Sequence, residues 1–441
     1  MNKPIAEVIN LVPEGSQQVR GMTVEALREQ MLRSSPEQFG SLAAGSFALV
    51  ARDGQRVVLA RSLDRPLRYF LAKVIDGPLL IVAERIDQIR DWMLARGMAA
   101  QFHPSYTRMV PAFHLTEIAL VGCPDPNPQY LRFFDPPRGV LPADLDLLAR
   151  HYVGALLDEV QQWLAGTDSR EPLGVLFSGG IDSGAVLLAL HHALLRSGQS
   201  PARLKAFCLR VGDGEDFQQA DAFLRQVGLQ MLLEPIEADP DALDPMRAVD
   251  VIEDYKPLDV ECATVMLALL EGIRSRYPDW RQLVDGDGGD ENLKDYPLEV
   301  DGELTIRSVV NNSLLYQEGW GVDAIKHSLT YTGGYSRACV RAYAPLQRHG
   351  FSGYSPFLAP AVMTVAEAIP FAELTQGSTE RLYALKGELI ARGFKQLLDI
   401  DFPVFEKRRF QHGATDESVF AKRFAYDEID YRGQLLRRFA A

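Results

Sequence analysis

The stretch that most constrains the fold is residues 175–184, which reads Val-Leu-Phe-Ser-Gly-Gly-Ile-Asp-Ser-Gly. It predicts a short buried strand over 174–177, a glycine turn, and a helix that opens at Asp182 and Ser183. The helix should end near Gly198, since glycine readily adopts the left-handed conformation that closes a helix. The first N–H groups of a helix lack internal partners, and the helix dipole there favours negative charge. The pattern therefore predicts a phosphate-binding turn.

This turn is not a Walker A loop, because no Gly-Lys-Ser/Thr ending is present. Ser178-Gly179-Gly180-x-Asp182-Ser183 instead resembles the pyrophosphate loop of ATP pyrophosphatases, which split ATP into AMP and pyrophosphate. The glycines let the backbone approach phosphates, and the hydroxyls of Ser178 and Ser183 add donors. Asp182 would repel phosphates unless a cation lies between them, so the turn also predicts Mg²⁺. The alternative is an ordinary turn of small residues with Asp182 as the helix N-cap.

Composition narrows the class of protein. The chain of 441 residues suffices for two or three domains, and its 47% hydrophobic and 24% charged residues are typical of globular proteins. A formal net charge of −13 argues against nonspecific nucleic-acid binding. We expect no membrane span and no signal peptide, because no apolar run is long enough. The cysteines have no Cys-x-x-Cys spacing, predict neither a zinc site nor a disulfide framework, and fit a cytoplasmic protein: Cys123, Cys208, Cys262 and Cys339.

Residues 1–143 predict an α+β domain built on antiparallel sheet. Two β-rich runs, 45–51 and 56–60, flank Asp53-Gly54 and predict a hairpin. Further strands are expected at 79–83, 110–115 and 116–120, and helices at 25–32 and 84–96. A Pro/Gly-rich linker at 135–142 precedes a helix expected over 144–164, so we place a domain boundary after residue 143.

A set of positions in this region forms a pattern: Gly45, Phe47, Ala48, Arg61, Asp64, Pro66, Leu67 and Tyr69. The pattern is similar to the N-terminal, Ntn-type glutaminase domain of glutamine-dependent asparagine synthetases. In that family the residue after the initiator Met is a nucleophilic Cys, whereas this chain has Asn2. An Asn amide has no ionisable attacking atom. We therefore expect a degenerate glutaminase-like domain that is retained for structure and does not hydrolyse glutamine.

The remaining residues, 144–441, alternate predicted strands with predicted helices. Strands are expected at 204–209, 231–236 and 281–284, and helices at 216–227, 241–251 and 261–277. Such alternation is typical of an α/β fold with a doubly wound parallel sheet, in which ligands bind at the carboxyl ends of the strands. A helical C-terminal part is expected to follow.

A second turn at such a strand end, residues 285–291, reads Asp-Gly-Asp-Gly-Gly-Asp-Glu. The spacing fails for an EF-hand calcium loop, and a solvated acidic loop is the plain alternative. Its position after a buried strand favours a binding site. We expect Asp182 and Asp290 to converge on Mg²⁺ that bridges the phosphates of ATP. Gly286 would lie in the nucleotide site, and Asp287 would face the reacting carbonyl.

The pairing and spacing of the two turns resemble the synthetase domain of asparagine synthetases. Downstream positions extend the resemblance: the segment 350–358, Ala366, Ile369, Pro370, Lys386 and the segment 406–413. The resemblance implies that Lys407 stabilises charge on the phosphates, whereas a surface basic cluster is the alternative for that residue. Two departures concern the substrate side: Ala359 replaces the family's Asp, and residues 292–296 replace its Phe-Gly-Gly-Tyr.

The resemblance implies a two-step reaction that uses ATP and Mg²⁺. A substrate carboxylate attacks the α-phosphorus of ATP, and pyrophosphate leaves. An amine then attacks the acyl-adenylate, which gives an amide and AMP. A base must deprotonate the amine, and Asp287 and Glu318 are the candidates. We expect the adenine to contact the backbone at Leu176, Phe177 and Leu209.

The missing Cys leaves two amine sources, free ammonia or an amine brought by the substrate. β-Lactam synthetases and lasso-peptide cyclases are branches of the family that use an amine carried by the substrate. We therefore expect amide or ring formation in a specialised biosynthetic pathway. The expected partners are a small-molecule or peptide substrate with a carboxylate and an amine donor, with no nucleic acid and no membrane. A homodimer is possible.

Two other classes of function compete with this interpretation. Sulfur or nitrogen transfer to tRNA also uses pyrophosphate loops, but the charge of −13 and the absence of paired cysteines count against it. A non-catalytic partner protein is disfavoured because both turns are intact in sequence.

Overall fold

The chain is described from a computed structural model that covers residues 5–118, 128–212, 214–295, 306–311, 341–405, 413–415 and 417–440. Antiparallel sheets occupy its N-terminal region, and a parallel sheet with flanking helices occupies the later part. The mixed α/β class expected from the sequence is confirmed at this level. None of the described helices is long and apolar enough to cross a membrane.

The N-terminal region contains two four-stranded sheets, with orders β1-β7-β6-β8 and β10-β9-β5-β4. Within them only β1 and β7 pair in parallel. The strands, with the small pair β2 and β3, are β1 (Glu7–Asn10), β2 (Gln18–Val19), β3 (Gly45–Ser46), β4 (Ala48–Asp53), β5 (Arg56–Arg61), β6 (Arg68–Ala72), β7 (Leu79–Ala83), β8 (Arg108–Met109), β9 (His114–Ile118) and β10 (Gln129–Arg132). Three helices accompany them: α1 (Val24–Arg33), α2 (Pro36–Leu42) and α3 (Ile86–Ala95).

The predicted hairpin is confirmed, because β4 and β5 pair antiparallel with Asp53 opposite Arg56. Gly54 turns the chain at a positive φ of 58°, which glycine adopts without steric cost. The strand predicted over 110–115 is wrong. Phe113 has a φ of 60°, outside the extended region, so the strand begins only at His114.

The later region is built on one five-stranded sheet of order β13-β12-β11-β14-β15, in which all neighbours are parallel. Its strands are β11 (Leu173–Leu176), β12 (Leu204–Val211), β13 (Leu233–Ala238), β14 (Gln282–Val284) and β15 (Ser352–Tyr354). The order reverses at β11, so the crevice at this point lies between the ends of β11 and β14.

The helices of the later region are α4 (Leu145–Ala165), α5 (Ile181–Arg196), α6 (Asp216–Gln226), α7 (Pro245–Ile252), α8 (Pro257–Arg276), α9 (Gly289–Leu293), α10 (Ile306–Asn311), α11 (Tyr343–Arg348), α12 (Pro360–Glu367), α13 (Phe371–Thr375), α14 (Thr379–Leu398), α15 (Glu417–Arg423) and α16 (Glu428–Phe439). Helix α4 begins after Asp144, whose carboxylate accepts from the backbone N–H of Asp146 and Leu147. The described residues after 355 are largely helical, as expected.

Alternate residues of the sheet face two separate cores. Ala206 and Cys208 lie in one core with helices α4 and α5, whereas Phe207 and Leu209 lie in the other with helix α8. Helices therefore cover both faces, which confirms the doubly wound arrangement. Because both faces are buried, the open carboxyl edge is where polar groups can collect.

The N-terminal region contacts the later region through buried charges. Glu253 is 1% exposed, and its carboxylate accepts from the backbone N–H of Ile86 at 2.8 Å and of Asp87 at 2.9 Å. A carboxylate at the start of α3 is stabilised by the helix dipole. Arg68 and Arg85 lie 3.9 and 3.3 Å from the same carboxylate. These contacts tie α3 to the turn that follows α7.

Candidate active site

The first predicted turn lies at the carboxyl end of β11. The backbone N–H of Phe177 still bonds to Phe207 O at 2.8 Å, and the chain then turns through Gly179, whose φ is 75°. A Cβ at Gly179 would lie 2.7 Å from Ala220 N, so the turn requires glycine for both conformation and space. The N-cap of α5 is Gly180, with no side-chain cap, so the alternative that Asp182 is the N-cap is wrong.

The hydroxyls of this turn bond to the turn itself. Ser183 Oγ accepts from Ser178 N at 3.3 Å and donates to Gly180 O at 3.3 Å. Ser178 Oγ accepts from Gly180 N at 3.3 Å. The two serines thus hold the loop in the shape that presents the first amides of α5.

The second predicted turn lies at the carboxyl end of β14 and packs against the first. Gly288, with a φ of 95°, leads into the short helix α9. A Cβ at Gly289 would lie 2.1 Å from Asp182 Oδ1, and one at Gly286 would lie 2.9 Å from Asp182 Cβ. The glycines of the acidic turn therefore create the space into which Asp182 projects.

Lys386 on helix α14 joins the carboxylates of both turns. Its Nζ donates to Asp182 Oδ2 at 2.6 Å and to Asp290 Oδ1, and Asp295 Oδ2 lies 3.6 Å away. The Lys386 side chain is 3% exposed. Burial alone would lower the pKa of Lys386, but the carboxylates of Asp182 and Asp290 raise it well above its usual range. Two acidic residues far apart in sequence thus converge on one cation.

The geometry fits an ion shared with a nucleotide. Within the described part of the chain, no group of three or more His, Cys, Asp and Glu side chains is placed to hold a metal ion by itself. Mg²⁺ is commonly bound by one or two carboxylates together with water and substrate phosphates. Asp182 and Asp290, whose oxygens already share one ammonium group, supply such a pair. Their role as metal ligands stays a prediction.

Asp287 lies beside these carboxylates in an environment that favours its neutral form. Burial raises the pKa of the Asp287 carboxyl to about 8, and the carboxylate of Asp285 adds to that rise, while Arg341 opposes it. Asp285 Oδ1 accepts from Asp287 N at 3.0 Å and from Ser355 Oγ at 2.5 Å. Burial likewise raises the pKa of Asp285 to about 6. Among the described residues, none offers a hydrogen bond to Asp287 Oδ2.

Comparison with known protein families now assigns the region that carries both turns. Residues 156–321 match the family model described as asparagine synthase. The chain therefore contains a domain that matches this family over residues 156–321. Members of that family are ATP-dependent carbon–nitrogen ligases. No curated protein matches the chain.

The asparagine synthase domain contains the residues predicted to contact adenine. Leu176, Phe177 and Leu209 are each at most 8% exposed, and their side chains belong to the cores around the sheet. The Phe177 N–H is already bonded to Phe207 O. Nucleotide contact at these positions therefore stays a prediction, and it would have to use other backbone atoms.

Two predicted catalytic residues, Glu318 and Lys407, lie outside the described residues. Glu318 falls within the matched asparagine synthase domain, whereas Lys407 lies beyond its end. The residues on either side of the Lys407 segment are described. Val404 Cγ1 would lie 3.1 Å from a Cβ at Gly387, and Ala414 O accepts from Val211 N at 3.2 Å.

Sequence reasoning missed Arg341, which lies beside the acidic turn and beyond the matched residues 156–321. Its guanidinium lies 3.3 Å from Glu291 Oε1 and 4.0 Å from Asp259 Oδ1. Burial opposes the charged form, but Asp287 and Glu291 raise the pKa of Arg341 well above its usual range. No motif marked this residue, because its partners come from two distant segments, the acidic turn and helix α8. Lys386 was placed by resemblance alone, without a role.

Proposed function

We propose that this protein is an ATP-dependent amide-bond-forming synthetase. It adenylates a substrate carboxylate with release of pyrophosphate and then transfers the acyl group to an amine, without glutamine hydrolysis. The observation that carries the proposal is the meeting of Asp182 and Asp290 on Lys386 at the carboxyl edge of the sheet. A pyrophosphate loop and an acidic turn that touch at this edge match the charge of a magnesium nucleotide.

In the adenylation step the protein would hold the phosphates and orient the attacking carboxylate. The backbone amides at the start of α5 and the hydroxyl of Ser178 would be donors for phosphate oxygens, and Ser183, which donates to Gly180 O, would reach a phosphate only by releasing that bond. Mg²⁺ on Asp182 and Asp290 would supply charge neutralisation on the leaving pyrophosphate. Holding carboxylate and nucleotide in line lowers the entropic part of the barrier.

In the amide-forming step Asp287 would act as general base. A bound amine arrives as an ammonium ion and must lose a proton before it attacks the acyl carbon. A carboxyl group with a pKa of about 8 is far better matched to this task than an ordinary carboxylate. Arg341 and Asp285 support the role by fixing its surroundings.

The amine source separates two forms of the proposal. Position 2 is Asn, and a glutaminase of this type needs a Cys there. An amine carried by the substrate would give a specialised amide or ring, whereas free ammonia would give a primary amide. The two forms are distinguished by measuring product formation in the absence of glutamine, once with added amines and once with ammonium chloride.

The experiment is a pyrophosphate-release assay with Mg²⁺, ATP and a panel of carboxylic acids, each with and without added amines. We expect AMP and pyrophosphate in equal amounts, dependent on one class of acid. The variants Asp182→Asn and Asp290→Asn should abolish the signal. Asp401→Asn, an exposed carboxylate paired with Lys395, is the matched control. Formation of ADP and phosphate instead of AMP, or turnover that depends on glutamine, would contradict the proposal.

A further inference from the structure

Lys386 occupies the position at which the two predicted metal ligands meet. Its ammonium is within hydrogen-bond distance of Asp182 Oδ2 and Asp290 Oδ1 at the same time. A lysine side chain that is 3% exposed has no water to replace these partners. The cation that neutralises the two carboxylates in this structure is therefore part of the protein.

A lysine ammonium and a divalent cation that share the same two carboxylates repel each other, even when they contact different oxygens. Lys386 is 3% exposed, so screening by water and salt at its ammonium is weak, although the side chains of Asp182 and Asp290 are 23% and 39% exposed. Glycine packing at Gly286 and Gly289 confines Asp182, so its carboxylate has little room to swing aside. Binding of a metal ion therefore favours a position of Lys386 farther from these two carboxylates.

Asp295 is an alternative ion-pair partner for the Lys386 ammonium. Its Oδ2 lies 3.6 Å from Lys386 Nζ, and the residue is 6% exposed. Its backbone N–H bonds to Asp290 O at 2.9 Å, which fixes it to the end of the acidic turn. It belongs to the segment 292–296, where the sequence departs from the Phe-Gly-Gly-Tyr of its relatives. A third carboxylate thus lies next to the lysine but farther from it than the other two.

We propose that Lys386 is a place-holder cation, which neutralises Asp182 and Asp290 until Mg²⁺ arrives and is then held by Asp295. Lys386 and Asp295 are in this sense positioning residues for the metal. The inference rests on the metal role given above to Asp182 and Asp290. It means that Lys386 stabilises the fold when no metal ion is bound, and that the affinity for free metal ions is weaker as a result.

The test is Mn²⁺ binding to the nucleotide-free full chain, measured as the rise in Tm with Mn²⁺ concentration. Lys386→Met should bind Mn²⁺ at least tenfold more tightly than the wild type, because the competing charge is gone. Lys386→Gln should do the same and serves if the Met variant does not fold. Lys294→Met removes another buried lysine, which pairs with Glu367, and should change the affinity less than twofold.

Asp295→Asn should weaken Mn²⁺ binding at least threefold, and Glu367→Gln is its matched control. In the Lys386→Met background the effect of Asp295→Asn should fall below twofold, because Asp295 acts through the lysine. An equal loss in both backgrounds, or no gain in affinity on removal of Lys386, overturns the inference. If instead Asp182→Asn and Asp290→Asn leave Mn²⁺ binding unchanged in the Lys386→Met protein, the metal role of these residues is what fails.

Discussion

The two regions of the molecule handle buried charge in opposite ways. In the N-terminal region Arg61 is fully buried, and its guanidinium donates to the carbonyls of Val110 at 2.6 Å and Arg65 at 2.7 Å. Arg65 in turn pairs with Glu84. At the edge of the later sheet, by contrast, Asp285 and Asp287 lie together and their pKa values rise to about 6 and 8. The buried arginines of the first region have hydrogen-bond or ion-pair partners, whereas the buried carboxyl groups of the second lie next to one another.

The difference indicates what each arrangement is for. A buried cation surrounded by backbone carbonyls holds a fold in one conformation and needs nothing from outside. Crowded carboxylates raise the free energy of the folded state, and such groups collect where a ligand supplies the missing charge. We propose that the N-terminal region acts as a scaffold and that the chemistry lies at the ends of β11 and β14.

The largest expected effect is on catalysis. Asp290→Asn should lower AMP formation by about 10³-fold, roughly 4 kcal/mol of transition-state stabilisation, because one of the two carboxylates proposed to bind the metal is lost. The Tm should fall only slightly, because the buried Lys386 keeps Asp182 as a charged partner. A variant that keeps more than a tenth of wild-type activity would break the proposed division between the regions.

The next largest effect is on stability and falls in the scaffold. Arg61→Met should reduce the free energy of unfolding by about 3 kcal/mol, because the carbonyls of Val110 and Arg65 lose their buried donor. Urea denaturation measures the loss. Activity per folded molecule should remain within twofold, and a drop in activity without a drop in stability would show that the N-terminal region takes part in the chemistry.

Asp287→Asn should lower amide formation about 10²-fold while leaving pyrophosphate exchange with the acid nearly unchanged. In the wild type the rate of amide formation should rise with pH towards about 8, as Asp287 loses its proton.

The folded state binds this proton more tightly than the unfolded state, so stability falls as pH rises from about 4 to about 8. Urea midpoints across this range should decline less in Asp287→Asn. If the urea midpoint changed equally with pH in the wild type and in Asp287→Asn, the raised pKa of Asp287 would be contradicted.

The smallest expected effect tests the packing of the two turns. Gly289→Ala places a methyl group against Asp182 Oδ1, so Asp182 must move. We expect about tenfold weaker Mg²⁺·ATP binding by calorimetry, roughly 1.4 kcal/mol. Gly15→Ala meets nothing within 4 Å and is the matched control. Unchanged affinity in Gly289→Ala would mean that the two turns do not form one site.

The turns could be predicted from sequence because their signals are local. A short apolar strand followed by glycines and an acidic residue marks Ser178–Ser183 and residues 285–291 without knowledge of any other segment. The two turns meet because parallel strands β11 and β14 are neighbours, which strand alternation alone does not specify. Strand β15 was missed, since Ser352–Tyr354 is too short and glycine-containing to show a pattern.

The charged partners could not be predicted, because they depend on contacts between distant segments. Lys386 follows Asp182 by 204 positions, and its helix shows only an ordinary amphipathic pattern. Glu253 meets α3 across 167 positions, and nothing near it in sequence marks a carboxylate that caps another region's helix. Burial and pairing of such residues become visible only once the chain is folded.

The most direct test of the account is calorimetry of ATP binding with Mg²⁺ and with excess EDTA, in the wild type, Asp182→Asn, Asp290→Asn and the double variant. If both turns share one magnesium nucleotide, the wild type binds ATP at least tenfold more tightly with Mg²⁺. Each single variant should lose that advantage, and the double variant should lose no more than either one. Equal affinity in EDTA, or losses that add in the double variant, would show that the two carboxylates do not serve a common metal ion.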